Sequence, residues 1–131
     1  MTPMDPISDF LNQIKNAYRA RKASVVVPYS KIKDQIAGVL EDKGYIAAKE
    51  KKGRKVRKFL EIKLRYDGNG PAMAHIKRVS KPSRRLYVGK DDIRPVRQGF
   101  GISIVSTSKG IMAGDNARKL GLGGEMIAEV W

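Results

Sequence analysis

A chain of 131 residues is long enough for one compact domain or for two small lobes sharing an interface. It has no Cys, which excludes disulfides, thiolate metal sites and cysteine nucleophiles. Lys and Arg outnumber Asp and Glu by 27 to 13, a net charge of +14 that a polyanion would neutralise with release of its counterions, so nucleic acid is the expected partner. Met1 to Phe10 carries Pro and Asp and no apolar leader region, and no stretch approaches the ~20 apolar residues of a membrane span, so a cytoplasmic protein with no membrane partner is expected.

In chain order, Ile7, Phe10, Leu11, Ile14, Ala17 and Tyr18 recur at helical spacing behind Asp5-Pro6, an N-cap followed by Pro at the first helical position. The other face of this helix carries Asn12, Lys15, Asn16, Arg19 and Lys22, which reads either as a solvated surface or as one facing phosphate. Val25-Val26-Val27 is a β-branched run ended by Pro28. Ser30 then caps a second helix with apolar positions Ile32, Ile36, Val39 and Leu40, closed by Gly44 in a left-handed cap. Tyr45 to Lys49 reads as a strand, and Lys58 to Tyr66 alternates with Leu60, Ile62, Leu64 and Tyr66 on one face.

Between these strands, Lys49 to Lys58 holds seven basic residues and one acidic residue around Gly53. It reads as a hairpin tip that either projects positive charge toward a partner or protects a sheet edge. The turn cluster Asp67-Gly68-Asn69-Gly70-Pro71 marks a boundary between lobes 1–67 and 71–131. The second half reads as short strands and turns: Met73 to Val79, a basic turn Ser80 to Arg85, Leu86 to Val88 and Ile102 to Val105. A short helix over Asp115 to Leu120, stopped by Gly121, and a closing strand Met126 to Trp131 follow. The expected fold class is α+β, an N-terminal α-β-α-β-β lobe packed against a mostly β C-terminal lobe with a short helix.

Few groupings suit catalysis. Ser106-Thr107-Ser108-Lys109 matches the S-x-x-K pattern of serine hydrolases, but the companion motifs are absent and a usable base requires a buried lysine. His75 is the single histidine, and Gly99-x-Gly101 is followed by Ile104 where the dinucleotide fingerprint needs its third Gly, so no metal, nucleotide or other cofactor is expected. Gly99 to Gly110 reads instead as a strand entering a hydroxyl-rich loop, suited to reading RNA shape and 2′-hydroxyls or to satisfying its own backbone as an ST-turn. Glu125, beside Gly123-Gly124, suits either acceptance from a base amine or support of that loop.

Specific blocks carry a resemblance over nearly the whole chain. Asp5-Pro6-Ile7, Ile14-Lys15-Asn16-Ala17, Pro28 with Ser30-Lys31, and Gly44-Tyr45-Ile46 form the first set. Arg78-Val79-Ser80-Lys81-Pro82 with Arg85 and Tyr87, Gly101-Ile102-Ser103-Ile104 running into Ser106-Thr107-Ser108-Lys109-Gly110, Ala117-Arg118 and Gly121-Leu122-Gly123-Gly124-Glu125 form the second. Together they resemble the bacterial small-subunit ribosomal protein S-eight family. Ser83 stands where that family usually has Gly, and Ile93-Arg94-Pro95-Val96 shifts its usual Pro.

The resemblance implies a non-enzymatic, structural constituent of the ribosome that binds the central domain of small-subunit ribosomal RNA and helps assemble the particle. Its RNA-contacting positions map onto Ser106, Thr107, Ser108 and Lys109, with Tyr87, Arg85 and Glu125 nearby in role, and onto Asn16, Ser30 and Lys31 in the N-terminal lobe. The implied protein neighbours are the fifth and twelfth small-subunit proteins. A regulatory role on a messenger RNA that imitates the ribosomal site would use the same surface.

Overall fold

The computed structural model describes residues 5–68, 70–96 and 101–131; Met1 to Met4, Asn69 of the turn cluster and Gly99 lie outside them. Helix α1 (Pro6–Arg19) starts where the sequence places it: Pro6 sits at the first helical position and the Asp5 carboxylate accepts from the Ser8 N–H at 3.1 Å. Its apolar stripe Phe10, Leu11, Ile14, Ala17 and Tyr18 is buried. Strand β1 (Ser24–Pro28) follows, and then α2 (Lys31–Asp42), whose N-cap Ser30 accepts from the Lys33 N–H at 3.1 Å. Gly44, at φ +82°, closes α2 in the left-handed conformation that favours glycine. Ile32, expected on the buried stripe, is instead 49% exposed, because it lies in the first turn of α2 beyond the reach of the core.

Strands β2 (Ala48–Arg54) and β3 (Arg57–Lys63) form an antiparallel hairpin, and β1 adds to β3 to give a sheet ordered β1-β3-β2. Two expectations change here. The strand read at Tyr45 begins only at Ala48, because the N–H groups of Tyr45 and Ile46 are engaged by the Leu40 carbonyl at the end of α2. The hairpin tip is Lys55-Val56 rather than Gly53. Gly53 lies inside the ladder opposite Lys58 at φ +105°, where a Cβ would collide with the Arg57 carbonyl. Leu60, Ile62 and Leu64 are buried as their alternation requires.

The turn cluster forms a two-stranded ladder, β4 (Tyr66–Asp67) with β5 (Gly70–Pro71). Beyond it come β6 (Ile76–Arg78), β7 (Tyr87–Val88), β8 (Ile102–Thr107), β9 (Gly110–Ala113), α3 (Gly114–Lys119) and β10 (Gly124–Val130), with a 3-10 turn at Lys90–Asp92. The second sheet runs β6-β10-β8-β9, with β7 also pairing with β10. The strand read over Met73 to Val79 is shorter than expected. Ala74 and His75 donate to the Trp131 carbonyl before regular pairing begins, and the His75 ring lies 5.5 Å from the Trp131 ring. Strand β9 was not anticipated.

Among the described residues a hydrophobic cluster runs from Phe10, Ile14, Ile36 and Leu40 through Leu60 and Ile62 to Ile104, Ile127, Ala128 and Val130, so both sheets share it. Each fully buried aliphatic or aromatic side chain contributes about 1.5–3 kcal/mol. Polar links cross the same seam. Arg78 Nε donates to Asp5 Oδ2 at 3.2 Å, joining β6 to the start of α1, and Lys43 Nζ reaches Asp115 Oδ2 at 2.9 Å, joining α2 to α3. Tyr18 donates its hydroxyl to the Tyr45 carbonyl at 2.5 Å and accepts from the Arg65 N–H at 3.1 Å. Among the described residues no helix is long and apolar enough to cross a membrane.

Candidate RNA interface

Strand β10 sets out the site. Glu125 stands opposite Ser106 of β8 on one side and opposite Tyr87 of β7 on the other, so the three side chains project from one face of the sheet in a row. Directly paired residues of antiparallel strands lie close enough to act together. Two glycines allow this. A Cβ on Gly124 would collide with the carbonyl of Ser106, and one on Gly123 with the carbonyl of Val88.

The Glu125 carboxylate is engaged within the protein. It accepts from the Ser80 hydroxyl at 2.5 Å and from Arg85 Nη1 at 3.0 Å. Ser80 is itself fully buried, and its hydroxyl accepts from the Leu86 N–H at 3.1 Å, which pins the basic turn to the sheet. Of the two roles open to Glu125, support is the one the geometry displays, although the group it supports is Arg85 rather than the Ser106 to Lys109 segment. That segment is also more ordered than a loop. Ser106 and Thr107 end β8, and Ser108-Lys109 is the two-residue turn of a β8–β9 hairpin closed by the Thr107–Gly110 pair, with Gly110 at φ +111°.

The hydroxyls of this hairpin differ in their freedom. Thr107 Oγ1 donates to the Gly110 carbonyl at 2.8 Å and accepts from the Lys109 N–H at 3.1 Å, the self-satisfied ST arrangement. The Ser106 hydroxyl has no partner among the described residues, and Ser108 is exposed. Lys109 is exposed at the turn, so the desolvated lysine that a Ser–Lys hydrolase needs is not what this hairpin presents. Tyr87 is 68% exposed, leaving its ring available beside the Arg85 guanidinium.

Other expected positions gather less closely. Ser30 and Arg85 line one cleft with Ile7, Lys33, Arg78 and Pro82, an opening of about 450 Å³ between the starts of both long helices and the basic turn. Lys31 is exposed at the first turn of α2, next to that cleft. Asn16 is exposed near the end of α1, and its side chain forms no hydrogen bond with the other candidates among the described residues. Sequence reasoning from residue chemistry missed Ser80 and Arg78 as supporting groups; both stand in the Arg78 to Pro82 block that carries the family resemblance.

Burial pulls the Glu125 carboxyl upward, but the hydrogen bond from Ser80 and the charge of Arg85 outweigh it and hold it below its ordinary value of 4.5. A carboxyl with a depressed native pKa contributes stability that is present above its unfolded value and disappears as pH falls through the folded one. Urea midpoints measured from about pH 6 down to about pH 3 are therefore expected to fall less steeply below pH 4.5 for Glu125→Gln than for the native chain. Parallel curves would remove Glu125 from the account of acid sensitivity.

The ribosomal protein S8 family model matches residues 5–131, which spans both sheets and every candidate position. The chain belongs to the ribosomal protein S8 family. Among its relatives is the small ribosomal subunit protein uS8 of Dictyoglomus turgidum, 50% identical over 131 residues and the full length of both chains. The protein of that name from Acidobacterium capsulatum is 44% identical over 132 residues, again covering both chains fully. That from Thermus thermophilus is 44% identical over 135 residues, covering 97% of this chain and 98% of its own. Because the S8 match runs through to the terminal Trp131, the row on β10 lies within it.

Proposed function

We propose that this chain is a structural, non-enzymatic constituent of the small ribosomal subunit in the cytoplasm, a primary binder of the central domain of small-subunit ribosomal RNA that helps assemble the particle. The observation that carries this reading is the Ser106–Glu125–Tyr87 row. Its one acid is hydrogen-bonded by Ser80 and its charge is matched by Arg85, so the face offers RNA a free hydroxyl, an exposed aromatic ring and no uncompensated negative charge. Short hydroxyls and aromatic faces suit 2′-hydroxyls and unstacked bases, while Lys and Arg supply sequence-independent affinity for phosphate.

The labour divides along the chain in this reading. Residues 71–131 carry selection through Tyr87, Arg85 and Ser106 to Lys109, and residues 1–67 add contacts through Asn16, Ser30 and Lys31. The remaining surface meets neighbouring proteins, the fifth and twelfth of the small subunit, and a messenger RNA folded like the ribosomal site would occupy the same row.

The test is the affinity of the purified protein for a central-domain transcript against scrambled RNA of equal length, across a salt series. A preference of ~10³ or more that persists at higher salt is expected. Equal affinities that collapse together as salt rises would reduce the chain to a general polyanion binder.

A further inference from the structure

The β2–β3 hairpin carries more positive charge than its own structure employs. Four of its eight basic residues are engaged: Lys49 Nζ bonds Asp34 Oδ1 at 2.5 Å, Lys52 Nζ lies 2.9 Å from Glu61 Oε1, Lys63 Nζ lies 3.7 Å from Glu50 Oε2, and Lys51 sits 4.4 Å from the centre of the Tyr29 ring. Arg54, Lys55, Arg57 and Lys58 have no side-chain partner among the described residues, and all four lie where the hairpin extends past Leu60, its last buried residue. The division is spatial. Charges near the base of the arm are matched, and those at its tip are not.

The tip also exposes apolar surface. Val56 at the turn is 94% exposed and Phe59 is 41% exposed. In the ladder, Phe59 faces Lys52 and Pro28, while Arg57, two residues away on the same strand, faces Arg54; these side chains project from one side of the sheet. Gly53, Val56 and Phe59 line a shallow groove whose rim is Arg54, Lys55 and Arg57. Edge protection accounts for lysines along β2, but not for an aromatic ring and a valine left open among unpaired cations.

We propose that this hairpin is a second RNA-binding arm, separate from the Ser106 row, that takes an unpaired stretch of RNA with a base stacked on Phe59 and its flanking phosphates on Arg54, Lys55 and Arg57. Charge complementarity selects a polyanion. The open ring selects unpaired over duplex RNA, since a base within a helix has no free face to stack on. The arm extends the RNA-binding reading above but does not depend on the Ser106 site.

The full-length protein is titrated with a fluorescent oligoadenylate of about eight nucleotides, and with an RNA duplex of about 16 base pairs, over a salt series. Phe59→Ala is expected to weaken oligoadenylate binding about tenfold with an unchanged salt slope, and Phe59→Trp to restore it with quenching of the new indole. Arg54→Gln, Lys55→Gln and Arg57→Gln together should lower the slope by about 2, at ~0.7 per phosphate on a single strand. Gly68→Ala, which meets no atom within 4 Å and lies in neither site, should leave oligoadenylate binding unchanged. Unaltered binding by Phe59→Ala, equal losses on duplex and single strand, or an equal loss with Gly68→Ala would each overturn the arm. If the chain shows no central-domain preference but these results hold, the arm stands and the reading of the Ser106 row falls.

Discussion

Gly124→Ala is expected to cost about 3 kcal/mol of stability and to lower the thermal midpoint by roughly 10 °C. The added Cβ would meet the carbonyl of Ser106, with the carbonyl carbon of Ser106 and the Cα of Thr107 close behind it. These are backbone atoms of the paired strand, so no rotamer change relieves the contact, and β8 has to move from β10. That displacement falls where Glu125 pairs with Ser106, so the variant should lose selectivity for the central-domain transcript along with stability. Gly68→Ala is the internal control. It has no atom within 4 Å of the added Cβ, and its midpoint should stay within about 2 °C of the native value. Scanning calorimetry of the two variants checks the pair, and equal midpoints would show that β8 and β10 are not in the close register described.

Local signals in the sequence account for the N-terminal elements. Asp5-Pro6 and Ser30 are capping chemistry, Gly44 is a left-handed terminator, and the alternation from Leu60 to Leu64 states which face is buried; each acts within a few residues of itself. The elements misread are those decided by partners distant in sequence. Lys49 to Arg54 has little strand propensity and extends only because β3 pairs along its whole length. Gly53 reads as a turn residue but lies in the ladder, since the register with β3 puts the turn two residues later. Gly110 to Ala113 has no alternation to betray a strand, yet pairs with β8 from Ile104 to Thr107.

The candidate site follows the same rule. Ser106, Thr107 and Glu125 were legible as chemistry suited to RNA, Tyr87 and Arg85 only through the family resemblance, and the ladder brings Ser106, Glu125 and Tyr87 into register. Which of them is free to contact a ligand was not legible. The partners that decide it, Ser80 for Glu125 and Gly110 for Thr107, become visible only once strands are paired and the turn is closed. The Arg85 guanidinium also differs from a free surface cation. It is held by Glu125 beside Tyr87, so it is oriented before RNA arrives, and less conformational freedom is lost on binding.

That difference in freedom separates two neighbouring hydroxyls. Ser106→Ala is expected to weaken binding of the central-domain transcript by about tenfold or more while leaving scrambled RNA and the unfolding midpoint nearly unchanged. The Ser106 hydroxyl has no protein partner among the described residues, so its deletion breaks no hydrogen bond in the free protein. Its loss becomes costly only when the RNA group it would meet is left unsatisfied at the interface. Thr107→Ala should behave in the opposite order. Its hydroxyl ties the Gly110 carbonyl to the Lys109 N–H, so about 1 kcal/mol of stability should be lost. Its RNA affinity should then decline because the Ser108-Lys109 turn is less well held rather than because a contact is missing. Binding isotherms on both RNAs and urea unfolding of both variants measure the two effects independently. If Ser106→Ala destabilises the fold, or if Thr107→Ala loses RNA selectivity with its stability intact, the assignment of the free hydroxyl to Ser106 and the closed one to Thr107 is wrong.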